Sequence, residues 1–176
     1  RQRQMCIRDR LRKMLNRAGT ELKANSKYLC ELDSVAGDGD HGITIGRMAD
    51  VMKEKTEDST IDTMRVLLDE LGDAFMGING GSAGPLWGTV FTGMAEGIDD
   101  QAELTDLELR KMFTQAKEDF MDISKAKPGD KTMVDALYPA IDAIIETQGN
   151  LKEIMTAAAA AADAGCLLYT SPSPRD

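Results

Sequence analysis

The chain has 176 residues, 42% of them hydrophobic and 29% charged, which suits one globular domain with a sizeable core. Its formal charge of −9 argues against a nucleic-acid partner, because a phosphate backbone would be repelled. A small phosphate ligand stays compatible with that charge if a cation stands between the two.

Aromatic residues are scarce at 5%, while methionine (11) is plentiful, so the core is aliphatic and favours helix packing over a β-sandwich. Cys6, Cys30 and Cys166 make no CxxC pair and no zinc spacing, which predicts reduced thiols and a cytoplasmic setting. No apolar run reaches the roughly 18 residues that a membrane span needs.

Apolar residues recur at helical spacing nearly throughout. The first stripe runs from Leu11 through Met14, Leu15, Ala18 and Leu22 to Tyr28 and Leu29. A second has Ile45, Met48, Val51 and Met52, and a third Ile61, Met64, Leu67, Leu68, Leu71 and Phe75. The fourth opens at Pro85, a good first-turn residue, and carries Leu86, Val90, Phe91 and Met94. Thr105 is the expected N-cap of a fifth, through Leu109, Met112, Ala116 and Phe120. A sixth runs from Met133 through Leu137 and Ile141 to Ile145, and a seventh from Leu151 into the Ala-rich run 157–162. The sequence therefore predicts an all-α, antiparallel up-down bundle or barrel of seven helices over 11–164.

Both ends lack such a stripe. RQRQMCIRDR at 1–10 and the tail 165–176 resemble translated adapter sequence and are expected to be non-native or disordered.

Two kinds of connection alternate. Those near 56–59, 99–104 and 148–150 are polar and plain, whereas 33–42, 77–84 and 124–131 are rich in Gly, Asp, Ser and Lys. Short loops make neighbouring helices antiparallel, so every second loop lies at the same end of the bundle. The three unusual loops are thereby expected to build one composite site.

The first of them reads LDSVAGDGDHG. Asp33, Asp38 and Asp40 have no Lys or Arg among them, so their packing together would raise one another's pKa. A bound cation removes that cost, and all-oxygen ligands select a hard ion such as Mg²⁺. Glycines permit the tight turn, and Gly42-Ile43-Thr44 opens a helix whose free N–H groups suit an anion. The literal GxGxxG at Gly37, Gly39 and Gly42 follows a helix, whereas a dinucleotide fingerprint follows a strand. An EF-hand fails too, since its twelfth position would fall on Ala49 or Thr44. An isolated acidic, glycine-rich turn is more often plain surface than a site.

The second loop, GINGGSAGP, places Gly81, Ser82 and Ala83 before a helix start, where backbone amides and a hydroxyl can cradle phosphate. Close helix packing is the competing reason for its glycines and for Gly88 and Gly93. The third, KAKPGDKTM, is no Walker A loop, since Asp130 separates Gly129 from Lys131. Asp130 or Thr132 is its expected cap, and Met133 lies at the site end. His41, the lone histidine, is expected to contact phosphate or orient a neighbour, not to act as nucleophile. Trp87 reads as core.

In order along the chain, Leu-Asp with GDGDHG, then GGSAGPLWGT, then KPGDKTMVDAL resemble the nucleotide-binding L-subunit (DAK2-like) family of dihydroxyacetone kinases, over about 11–164. The histidine at 41 sets the chain apart from the related fatty-acid-kinase nucleotide domain. The resemblance implies an eight-helix barrel with nucleotide at one end. It implies Asp33, Asp38 and Asp40 as ligands of two Mg²⁺, with His41, Gly42, Ile43 and Thr44 along the phosphates. Gly81, Ser82, Ala83, Thr132 and Met133 would complete the nucleotide site, Met133 near the adenine. The implied reaction moves phosphate from bound ADP/ATP to dihydroxyacetone held on a partner K subunit or domain. The donor is ATP itself or a phosphotransferase-system subunit that recharges bound ADP.

Family members continue past the Ala-rich helix into a further loop and a closing helix, so seven of eight helices, weak nucleotide binding and an exposed apolar seam are expected of this chain. Two other readings remain open on the residues: a nucleotide-sensing module that contacts a regulator, and a purely structural bundle.

Overall fold

In the computed structural model, residues 7–35, 37–100 and 104–169 are described, and they form α-helices without a strand. The helices are α1 (Ile7–Ala24), α2 (Ser26–Asp33), α3 (His41–Glu57), α4 (Met64–Met76), α5 (Ala83–Glu96), α6 (Asp106–Ile123), α7 (Val134–Glu146) and α8 (Leu151–Tyr169).

Eight helices stand among the described residues where the periodicity predicts seven. The additional one comes from a break inside the first stripe, at Asn25, whose backbone (φ −97°, ψ 4°) leaves the helical region. The Asn25 side chain donates back to the Glu21 carbonyl at 2.8 Å, a local bond that competes with helix continuation. The short α2 then lies across the start of α3, where Gly42 sits so close to the Ser26 carbonyl that a Cβ would overlap it. Helical structure also passes both predicted domain bounds, since α1 begins at Ile7 and α8 continues to Tyr169.

Local chemistry sets the start of α6 as expected, whereas the N-cap of α7 falls on Met133 and not on Asp130 or Thr132. Thr105 caps α6 in a reciprocal capping box, its hydroxyl accepting from Glu108 N while the Glu108 carboxylate accepts from Thr105 N. Thr63 caps α4 by accepting from Val66 N at 3.1 Å.

Packing follows chain order: α1 and α2 against α3, then α3 against α4, and so on to α7 against α8. The core has two lobes. Leu15, Ile45, Met48, Leu67, Leu71 and Phe75 join α1, α3 and α4. Leu68, Val90, Met112, Phe120, Val134 and Ile154 join α4 to α8. Phe75 and Phe91 meet edge-to-face at 5.2 Å between ring centres. Helices α4 and α5 also approach closely, so that a Cβ on Gly72 or Gly88 would stand 2.9 Å from the other's carbonyl oxygen. Gly88 is thus a packing glycine. Leu11 and Met14 on α1 face Leu151 and Met155 on α8 across an apolar cavity of ≈ 300 Å³. No helix is long and apolar enough to cross a membrane among the described residues.

Candidate metal and nucleotide site

All three unusual loops open onto one cleft of ≈ 680 Å³. The α2–α3 loop supplies Asp33, Asp38, Asp40 and His41. The α4–α5 loop supplies Gly80, Gly81, Ser82 and Ala83, and the α6–α7 loop Thr132 and Met133. Connectivity alone predicted that gathering.

The acidic wall is tightly drawn. One carboxylate oxygen each from Asp33, Asp38 and Asp40 lies within 4.8 Å of the others. Asp33, at the end of α2, organises the turn, because its Oδ2 accepts from the backbone N of Asp40 at 3.1 Å and of His41 at 3.3 Å. Gly37 passes so near the Asp33 carboxylate that a side chain there would displace it. The neighbouring Asp38 carboxylate raises the Asp40 pKa above its ordinary value. Loss of water, a hydrogen bond with Asp38 and the Asp33 charge add to this, and Arg47 opposes it. Three convergent oxygen donors that repel one another fit a hard divalent cation, and Asp33, Asp38 and Asp40 are the residues that would hold it.

Gly42, Ile43 and Thr44 do not line the cleft. Gly42 and Thr44 are buried in the start of α3, and Ile43 is 54% exposed. Thr44 instead donates its hydroxyl to the Gly80 carbonyl at 3.4 Å. One turn on, Arg47 donates to the Asn79 carbonyl at 2.6 Å. A single helix start thereby presents the acids and grips the glycine loop.

Several lining residues escaped the sequence reading. Trp87 and Phe120, assigned to the core by their stripes, reach the cleft wall while also packing against the core. Leu29 and Ala126 do the same from α2 and the third loop. An apolar residue at a helix end carries no mark that separates core from cleft. Arg47 was equally unmarked, being one more charge on an exposed helix face.

The likeness to known proteins bears directly on this site. Residues 35–168 match the DAK2 domain family. The chain is 33% identical over 130 residues to the ADP-binding subunit DhaL of the PEP-dependent dihydroxyacetone kinase of Escherichia coli, covering 74% of this chain and 62% of that one. It is 34% identical over 132 residues to the corresponding subunit of kinase 1 of Listeria innocua, with 74% and 65% covered. An L-erythrulose kinase of Pectobacterium atrosepticum is 36% identical over 152 residues, which is 82% of this chain and 25% of that protein. The chain therefore spans under two thirds of the length of these relatives. Among solved structures, the dihydroxyacetone kinase from C. freundii in complex with AMP-PNP and Mg²⁺ superposes with a TM-score of 0.68 at 27% identity, over 89% of this chain and 28% of that one. With its family match running from the acidic loop through α8, and DhaL subunits among its relatives, this chain belongs to the DAK2-domain family.

Proposed function

We propose that this chain is the nucleotide- and magnesium-binding part of a two-part kinase for dihydroxyacetone or a closely related short keto-sugar. The observation that carries the reading is the single cleft in which three clustered carboxylates face a glycine loop and the start of α3. Asp33, Asp38 and Asp40 hold Mg²⁺, two ions on the family pattern, and the ions neutralise the polyphosphate charge. Ser82 and the backbone N–H groups of Gly81 and Ala83 cradle phosphate oxygens, and His41 brings the positive end of the α3 dipole to the cleft wall, while Gly42, Ile43 and Thr44 support that wall from outside it. Thr132 and Met133 bound the nucleoside side.

On the family pattern the acceptor is held on a partner K subunit or domain. The helices run up and down with the cleft at one end. The names of the Escherichia coli and Listeria innocua relatives include dependence on PEP, which favours a bound ADP recharged by a phosphotransferase-system subunit over direct use of ATP. A cytoplasmic setting follows from that partner.

Calorimetry with ADP tests the reading. Binding in Mg²⁺ that is lost in EDTA supports it, and equal affinity in both would end it. Reconstitution with a K subunit, dihydroxyacetone and a phosphoryl donor, either ATP or a phosphotransferase-system subunit charged from PEP, is then expected to yield dihydroxyacetone phosphate, which a nucleotide sensor would not produce.

A further inference from the structure

Among the described residues Asp135 is the one charged residue that is fully buried, at 3% exposure. Burying a carboxylate costs several kcal/mol unless hydrogen bonds replace the lost water. Here two backbone donors do so. Gly129 N donates to Oδ1 at 2.6 Å, and Thr132 N donates to Oδ2 at 3.3 Å. Between those two points the chain passes Gly129 (φ 100°) and then Lys131 (φ 57°), the one non-glycine residue with positive φ among those described. A residue with a Cβ in that region costs about 1–2 kcal/mol, so the turn must be held from outside itself. Asp135 grips it on both sides of Lys131. The backbone that carries Asp135 is packed hard against α8, which lies so close at Gly165 that a Cβ would overlap the Asp135 main-chain carbonyl.

The turn so held delivers Thr132 and Met133 to the cleft. Its surroundings differ from the acidic wall: Met133, Val134, Phe120 and Ala126 make this part of the lining apolar. Charged wall and apolar wall together fit the two halves of a nucleotide, polyphosphate against the first and base against the second. We infer that Asp135 is a positioning residue for the base, fixing the 129–132 turn so that Thr132 and Met133 form the wall on which the base rests. The inference rests on the nucleotide-binding reading above and adds to it a residue that touches no ligand.

The experiment compares wild type, Asp135→Ala and Asp135→Asn by calorimetry, each with Mg²⁺–ADP and with Mg²⁺–pyrophosphate, which lacks the base. Asp135→Ala is expected to weaken ADP about tenfold, the scale of one lost buried hydrogen-bond partner, and to leave pyrophosphate unchanged. Asp135→Asn keeps one acceptor oxygen and is expected to fall between, with faster amide exchange at Gly129 or Thr132. Equal weakening of both ligands, or of neither, would overturn the inference. Wild type that binds the two ligands equally well would overturn it while the functional reading stands, and wild type that binds neither would overturn both. If Asp135→Ala does not fold, Asp135→Asn carries the same comparison.

Discussion

The Thr44 hydroxyl on α3 donates to the Gly80 carbonyl in the glycine loop, and a Cβ on Gly80 would overlap that same hydroxyl. Gly80 also has φ 142°, a backbone region that side chains rarely adopt. The contact joins two of the three loops of the cleft through a residue that is 1% exposed.

Gly80→Ala is therefore expected to push the glycine loop away from α3. The overpacking should cost about 1–3 kcal/mol in urea denaturation. ADP affinity should fall with it, because Gly81 and Ser82 move together with Gly80. A variant with wild-type stability and affinity would show that the loop is not pinned there.

Asp38→Ala removes the largest influence on Asp40 and one of three oxygen donors. In EDTA the variant is expected to be at least as stable as wild type, since like-charge repulsion is relieved. Its Mg²⁺ binding should be lost in a calorimetric titration. Mg²⁺ binding that survived unchanged would place the ion elsewhere.

The Asp40 carboxyl carries a pH signature. Its folded pKa lies above the ordinary 3.8, so between those two values the folded chain holds more protons than the unfolded one. Stability in EDTA should thus decline as pH rises through that window, by a small amount because the group is exposed. Saturating Mg²⁺ should abolish the decline. An NMR titration of the Asp40 side chain gives the direct reading: a midpoint above 3.8 that drops in Asp38→Ala.

Arg12 offers the converse case, a residue that matters for the fold alone. Its guanidinium donates to the carbonyls of Thr56 and Ile61, each at 2.6 Å, and ties α1 to the α3–α4 connection. Arg12→Ala should cost about 1–3 kcal/mol, since two partly buried carbonyls lose their donor. None of these groups lines the cleft, so Mg²⁺-dependent ADP affinity should hold in a chain kept below its melting temperature.

Much of this was legible in the sequence because it depends on neighbours along the chain. The stripes of α3 to α8 follow from 3.6-residue periodicity, and Thr105 stands as the N-cap expected of α6. The alternation of plain and unusual loops placed Asp33, Ser82 and Met133 at one cleft before any coordinates. The break at Asn25 was not legible, because the apolar stripe runs through it and its local side-chain bond to the Glu21 carbonyl shows only in the folded chain.

By itself the sequence determined the elements, the loop chemistry and the family, since each rests on short-range pattern. Tertiary structure decided which groups serve one another across the loops: Thr44 for Gly80, Arg47 for Asn79, Asp135 for the turn before it. The physical reason is burial. A threonine or aspartate in a helix reads as a solvated polar residue until packing removes its water. Its oxygen must then find a specific partner, and that partner's position is a property of the folded chain alone.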